Sequence, residues 1–344
     1  MPLEEPSWWY GTSEDDLRIR ALRPLSGLYG WAAQRRLLNA QPYHSRLPVI
    51  CVGNFTAGGT GKTPLSMMIA TLLRDRGAQP VFLTRGYSGR KTGPVWVNPG
   101  SHLAKDVGDE PLLLARCAPT MLARDRAKGA QEIEASGTAT HIIMDDGLQN
   151  PLLAKSLSIA VVDAVRGLGN GQVIPAGPLR APIEFQFGLA DAIVVNGDAG
   201  GSIRRDLRSA FPGPVLSAVI APTEDADAFD GMRVVAFSGI GNPARFVASL
   251  GHAGAHVISS KTFKDHHNFT DAEAQDLIDL ARRCDAQLVT TEKDLTRLKG
   301  RGGACGELAK KTRVLAIQLI MESRDLARLE SLVDGILVKD KATA

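Results

Sequence analysis

The apolar and polar positions of this chain change period along its length. From about residue 47, short continuous apolar runs closed by Gly, Asp or Asn alternate with stretches whose apolar residues recur every three or four positions. LPVICVGN, PVFLTRG, THIIMDDG, LSIAVVDA and DAIVVNG read as strands buried on both faces, because such strands need no polar alternation. KTPLSMMIATLLRDRG and DEPLLLARC read as helices. Alternation of this kind predicts a parallel sheet covered by helices, a doubly wound α/β block. A second alternation begins near residue 231. There RVVAFSG, AHVISS, AQLVTT and RVLAIQL read as strands, separated by PARFVASLG and by TDAEAQDLIDLARRC, whose Thr270 and Glu273 have capping-box spacing. The polar, turn-rich APTEDADAFDG marks the boundary. The expected organisation is an N-terminal segment over 1–45, a first α/β domain over 46–225 and a smaller C-terminal α/β domain over 226–344, with the closing KDKATA a frayed tail.

Composition narrows the class. With 344 residues, 44% apolar and 22% charged, the chain can bury two cores as a soluble globular protein. A net charge of +3 gives no bulk support to nucleic-acid binding, and none is expected. Cys51, Cys117, Cys284 and Cys305 lie far apart without zinc spacing and read as reduced thiols. The opening MPLEEPSWWYGTSEDD carries acids where a secretory signal carries bases. No apolar stretch reaches the roughly 18 to 20 residues that span a bilayer. Trp8, Trp9, Tyr10, Tyr29 and Trp31 are interleaved with Arg18, Arg20, Arg23, Arg35 and Arg36. Rings beside guanidinium groups suit an anionic membrane surface, and they equally suit a helix docked on its own domain by aromatic anchors. Pro24 and Gly27 are expected to interrupt or shorten any helix there.

The strongest chemical signal is TAGGTGKT, comprising Thr56, Ala57, Gly58, Gly59, Thr60, Gly61, Lys62 and Thr63, between a strand and a helix. In that setting backbone N–H groups and the helix N-terminus converge on phosphates, Lys62 reaches the terminal phosphates and the Thr63 hydroxyl binds Mg²⁺. The strict pattern has glycine where Thr56 stands, but Gly58, Gly59 and Gly61 still let the backbone approach a ligand. Asp145 and Asp146 close an apolar run, where a carboxylate holds Mg²⁺ directly or through water. Together these predict a P-loop NTPase-type core. The loop is also similar to KGGTGKT of the ParA and MinD partitioning ATPases, which makes a dimerising ATPase switch the runner-up. Ala57 takes the place of the lysine those proteins use across their interface.

A kinase also needs a group that orients or deprotonates an acceptor hydroxyl. VGDEP offers Asp109 and Glu110 at a helix start, where acids also simply favour the dipole. KDHHNF at 264–269 is the densest histidine site, and it suits a single catalytic histidine better than a metal cluster. FSGIGNPA at 237–244 fits GxGxxA but lacks the acid a dinucleotide site expects, so a helix-start turn with Pro243 is the better reading. GLGNGQVIPAGPLRAP at 167–182 is too rich in Gly and Pro for regular structure. With Arg166 and Arg180, it either binds an anionic acceptor or bridges two strands.

VGNFTAGGTGKTP, TRGYSG, VGDEP, MDDGLQN, GNGQVIPAGPLR, FSGIGNPARF, DHHNF and TTEKD occur here in one order. That ordered set, with SWWY and LRPLSGLYG ahead of it, resembles the tetraacyldisaccharide 4′-kinase family, the lipid A 4′-kinases of Gram-negative bacteria, from about residue 7 to about 299. The resemblance implies transfer of the ATP γ-phosphate, with Mg²⁺, to the 4′-hydroxyl of a tetraacyl glucosamine disaccharide 1-phosphate, the lipid A disaccharide precursor. It implies a peripheral protein, expected as a monomer, at the cytoplasmic face of the inner membrane, with the N-terminal segment as contact and the active site between two domains. It makes Asp109 the base, with His266 pairing from the other domain, and gives the metal to Asp145, Asp146 and Glu110 beside Thr63. Ala181 stands where the family usually has glutamate. Glu292, Lys293 and Asp294 of TTEKD receive no role beyond helix capping.

Overall fold

The computed structural model describes residues 5–11, 16–197 and 201–341. Residues 1–4 and 12–15 of the acidic opening, and the last three of KDKATA, lie outside the described residues; 339–341 continue the final helix, Ser323–Lys341, rather than fraying. Among the described residues the strands are, in chain order, β1 (Val49–Gly53), β2 (Pro80–Thr84), β3 (Val95–Trp96), β4 (Thr120–Leu122), β5 (His141–Asp145), β6 (Leu157–Asp163), β7 (Ala192–Asn196), β8 (Val215–Pro222), β9 (Arg233–Ser238), β10 (His256–Thr262), β11 (Gln287–Thr290), β12 (Thr312–Val314) and β13 (Ile317–Ile320), so that the expected strand RVLAIQL is two short ones.

By contact the chain forms two units. One gathers Met1–Arg85, Ala123–Val219 and Ile320–Ala344, and the other Gly86–Leu122 and Ile220–Leu319. A single division near residue 226 therefore does not describe the chain: 86–122 joins the second unit and the final helix joins the first. Both segments bury apolar side chains, Leu329, Val333 and Ile336 in the final helix and Val107, Leu112 and Leu122 within 86–122, and both make polar contacts far along the chain. Arg76, which caps the helix Lys62–Asp75, donates to Asp334 of the final helix at 2.5 Å, and Arg116 donates to Thr296 at 3.1 Å within the second unit.

In the first unit the strands run parallel in the order β8-β7-β6-β1-β5-β2. All residues of β1, β2, β5, β6 and β7 are buried, as continuous apolar runs require when helices cover both faces. β1 is central, so the loop that leaves its carboxyl end is flanked by the ends of β5 and β6, the usual ligand position in an open α/β sheet. In the second unit β10-β9-β11-β12 form a parallel sheet. Alternate β9 residues serve its two cores, Val235 and Phe237 on one face and Val234 and Ala236 on the other. β3 and β4 pair antiparallel. These two strands and β8 carried no signal in the apolar pattern.

The N-terminal helix runs unbroken over Leu17–Leu38 through Pro24 and Gly27, contrary to the expected interruption. Pro24 faces solvent, where water can take the Arg20 carbonyl that its missing N–H leaves unpaired, while Ile19, Ser26 and Gly30 pack inward. Docking is specific. Buried Trp9 donates through Nε1 to the Pro175 carbonyl at 3.1 Å, and Ser26 accepts from the Ala176 N–H at 2.9 Å. An added Cβ at Gly30 would touch Pro182 at 3.4 Å.

Candidate active site

The phosphate loop of the first unit is shaped before any ligand arrives. Gly58 (φ +91°) and Gly61 (φ +97°) take left-handed conformations that side chains disfavour, and the helix Lys62–Asp75 starts directly after Gly61. Its first N–H groups have no helical partner and point into the loop. Neighbouring segments clamp the rest. Ala57 donates its N–H to the Pro178 carbonyl at 2.8 Å, Arg180 its N–H to the Phe55 carbonyl at 2.9 Å, and Asn196 its side-chain amide to the Thr60 carbonyl at 2.8 Å. Thr56 and Ala57 thus act through their backbone, Thr56 bridging to Leu179. The 167–182 segment contacts the phosphate loop rather than joining two strands. The Thr60 hydroxyl is buried with no partner among the described residues, a donor suited to an anion's oxygen.

Register brings the acids to this loop, because β1 and β5 pair with Val52 opposite Asp145. Ser66 donates to Asp145 at 2.8 Å, and the Thr63 hydroxyl lies 3.5 Å from the other oxygen of that carboxylate. Lys62 Nζ is 3.7 Å from Asp146, and Arg180 donates to Asp146 at 3.0 Å and to the Thr56 carbonyl at 3.0 Å. Asp146 itself is left-handed at φ +50°, a strain that persists where surroundings over-determine it. Lost hydration would raise its pKa, but Lys62 and Arg180 outweigh this and hold it well below the usual carboxylate range. Thr63, Asp145 and Asp146 are hard oxygen donors of the kind Mg²⁺ takes, few enough that most of its octahedron falls to water and phosphate oxygens. Among the described residues no group of three or more His, Cys, Asp or Glu side chains could hold a metal. Glu110, the remaining residue assigned to the metal by resemblance, lies in the second unit, where its carboxylate accepts from Lys293 Nζ at 2.6 Å.

The second unit holds a denser cluster. Asp109 opens the helix Asp109–Cys117 after Gly108, where an added Cβ would sit 2.4 Å from the Tyr87 carbonyl. Asp109 is 2% exposed. One oxygen accepts the Glu110 N–H at 3.0 Å; the other accepts from Arg297 Nε at 2.8 Å and from Arg297 Nη2, with His266 Nδ1 at 3.2 Å. Burial would raise the Asp109 pKa, but His266 and Arg297 more than reverse it and hold the carboxyl far below its ordinary range. With its oxygens engaged and its basicity low, Asp109 is a poor proton acceptor in this arrangement. His266 belongs to the same unit rather than arriving from another domain. Its φ is +57°, and its N–H reaches the Gly239 carbonyl at 3.1 Å. Arg297 Nη2 also lies 3.3 Å from Nδ1, but it already donates to Asp109, so we assign Nδ1 the proton that faces the carboxylate. Burial would lower the His266 pKa; the Asp109 hydrogen bond and charge raise it above its ordinary value. His267 is structural, bonded to Glu273 at 3.0 Å and stacked on Phe263.

Arg297 is absent from the sequence reading, and Lys293 has no role there beyond helix capping, although both lie in or beside TTEKD. Thr291 caps their helix by accepting the Asp294 N–H at 3.2 Å. Asp294 then accepts from Gly239 N–H at 3.1 Å and from Arg297 at 2.7 Å. Burial raises the Asp294 pKa against the lowering pull of Arg297. For Lys293, burial would lower the pKa but Glu110 and Asp109 drive it up. The one sequence signal was the three-residue spacing of Asp294 and Arg297. Ala181 is fully buried, with its carbonyl accepting from Gln186 at 2.7 Å.

The family model described as Tetraacyldisaccharide-1-P 4′-kinase matches residues 18–337. Relatives named Tetraacyldisaccharide 4′-kinase include one from Rhodopseudomonas palustris (strain BisB5), 44% identical over 323 residues, covering 93% of each chain. Another, from Methylobacterium nodulans, is 46% identical over 338 residues, covering 96% of this chain and 95% of its own. Among solved structures, the "apo" form of LpxK from Aquifex aeolicus in complex with ATP aligns with a TM-score of 0.71 at 25% identity, over 92% of this chain and 99% of that one.

Proposed function

This chain belongs to the tetraacyldisaccharide-1-P 4′-kinase family, and we propose that it transfers the ATP γ-phosphate to the 4′-hydroxyl of tetraacyl glucosamine disaccharide 1-phosphate, a step of lipid A biosynthesis. The observation that carries this reading is the pairing of Lys62 and Thr63, at one helix start, with Asp146 and Asp145 at the end of β5. Lys62 and the N–H groups of 58–63 hold the terminal phosphates. Thr63, Asp145 and Asp146 hold Mg²⁺, which when bound neutralises developing phosphate charge. Arg180 keeps Asp146 aligned with the loop. The dimerising switch has no lysine at position 57 to act with.

The acceptor hydroxyl must lose a proton, and Asp109 and His266 serve this as one coupled group. Arg297 keeps Asp109 ionised and oriented; Asp109 accepts the His266 Nδ1–H, which leaves Nε2 as the atom that takes the proton. This moves the base role from Asp109 alone to the pair.

The chain is proposed to act as a peripheral monomer at the cytoplasmic face of the inner membrane. No helix among the described residues is long and apolar enough to cross a membrane. The helix Leu17–Leu38 instead exposes Leu17, Leu25, Leu28, Trp31 and Leu38 on the side opposite its docked residues, with Arg18, Arg20 and Arg36 beside them. Such a face suits acyl chains under anionic headgroups. ADP release measured with and without the disaccharide acceptor tests the reading: turnover that needs the lipid supports a kinase, and equal turnover without it contradicts one.

A further inference from the structure

A cavity of about 620 Å³ in the first unit takes no part in the chemistry above, and it is lined by Arg204, Arg208, Arg324 and Arg328. Each pair comes from one helix, Ser202–Ala210 or Ser323–Lys341, at a spacing of four residues, which puts both members of a pair on the same face. Of the carboxylates on the described part of the final helix, two are committed away from the cavity and one lies beside Arg204. Glu330 and Asp334 face Arg76 on the opposite side, at 3.8 Å and 2.5 Å. Asp325 is buried, accepts the Ser217 N–H at 2.9 Å and lies 3.7 Å from Arg204. Arg208 makes one long bond, 3.4 Å, to the Val215 carbonyl. The Arg204 Nε is buried with no partner among the described residues, and no carboxylate among them pairs with Arg324 or Arg328. The floor is rigid: a Cβ on Gly213, between Pro212 and Pro214, would lie 2.6 Å from the Phe211 ring and 2.7 Å from the Asp191 carbonyl.

Asp325 offsets the charge of Arg204, but no carboxylate among the described residues pairs with Arg208, Arg324 or Arg328, and these like charges repel one another unless an anion joins them. Their planar donors match phosphate oxygens two at a time. A single carboxylate would leave most of these donors unused, whereas adjacent phosphates would engage both helices. We propose that this cavity is a second anion site, separate from the phosphate loop, for a ligand bearing phosphate groups. The source is either a soluble polyphosphate or a phospholipid headgroup.

The test uses the full chain in a Lys62→Ala background, so that the phosphate loop contributes least. Inorganic pyrophosphate is titrated by calorimetry, and flotation is measured with phosphatidylcholine vesicles with and without phosphatidylglycerol. Combining Arg324→Gln and Arg328→Gln removes charge-assisted bonds and is expected to weaken binding about tenfold or more. Arg324→Lys with Arg328→Lys keeps the charge and should lose less. Thermal melts, and lipid phosphorylation in detergent by the same pair of glutamine substitutions with Lys62 intact, should match the parent chains, since neither arginine is in the machinery above. Pyrophosphate binding that falls in the glutamine variant, with flotation unchanged, supports a soluble ligand. Loss of the phosphatidylglycerol-dependent flotation, without pyrophosphate binding, supports a headgroup. A glutamine variant equal to its parent in both assays overturns the proposal.

Discussion

The phosphate loop and the Asp109 cluster handle charge in opposite ways. Lys62 and Asp146 keep 12% and 38% of their side chains exposed, and the loop's shape comes from backbone clamps and glycine conformations. Arg297, Asp109 and Asp294 are almost wholly buried and hold one another through their charged side chains, with the Gly239 and Glu110 backbones as further partners. A charge whose partner remains hydrated can be removed with little effect on folding. A buried one cannot, because its former partners stay desolvated and unpaired. The same kind of substitution should therefore injure catalysis in one region and the fold in the other.

Arg297→Ala is the sharpest way to break that contrast. It strands two buried carboxylates and should cost roughly 3–5 kcal/mol, read by chemical denaturation; a loss below 1 kcal/mol would mean the cluster is wetter than its burial shows. Lys62→Ala should leave the denaturation midpoint nearly unchanged while lowering turnover about a thousandfold, the size expected for a donor aimed at transition-state charge.

His266→Ala should cost less, about a hundredfold, because Asp109 remains as a carboxylate. Its pH profile separates the two roles. The raised His266 pKa means the ring still carries its proton somewhat above its ordinary 6.5 and cannot accept another. Wild-type kcat/KM should therefore rise with pH through a midpoint above that value, and the variant should lose this limb. A limb that survives the substitution assigns it to another group. The smallest effect should come from Trp31→Glu with Leu28→Glu: weaker flotation with vesicles and unchanged ATP binding.

The same contrast explains what could be read in advance. TAGGTGKT and MDDG are contiguous, and their geometry follows from a strand, three glycines and a helix start, so Lys62, Thr63, Asp145 and Asp146 were legible singly and together. The first unit's strands were legible because continuous apolar runs have few other uses. The Asp109 cluster draws on residues 109, 239, 266, 294 and 297. No period in the chain connects Asp109 to Arg297, 188 positions away. The Glu110–Lys293 ion pair is likewise invisible in the sequence, because 183 positions separate its members. The N-terminal helix was undervalued for a related reason: Pro24 is a breaker by rule, but on an exposed face the unpaired carbonyl costs little.

The decisive measurement is the position of the phosphate after incubation of the full chain with ATP, Mg²⁺ and monophosphorylated tetraacyl disaccharide in mixed micelles, with Lys62→Ala as the blank. Phosphate on the 4′-oxygen of the lipid, absent in the blank, is the predicted result. Phosphate released only to water, whether or not the lipid is present, would contradict it.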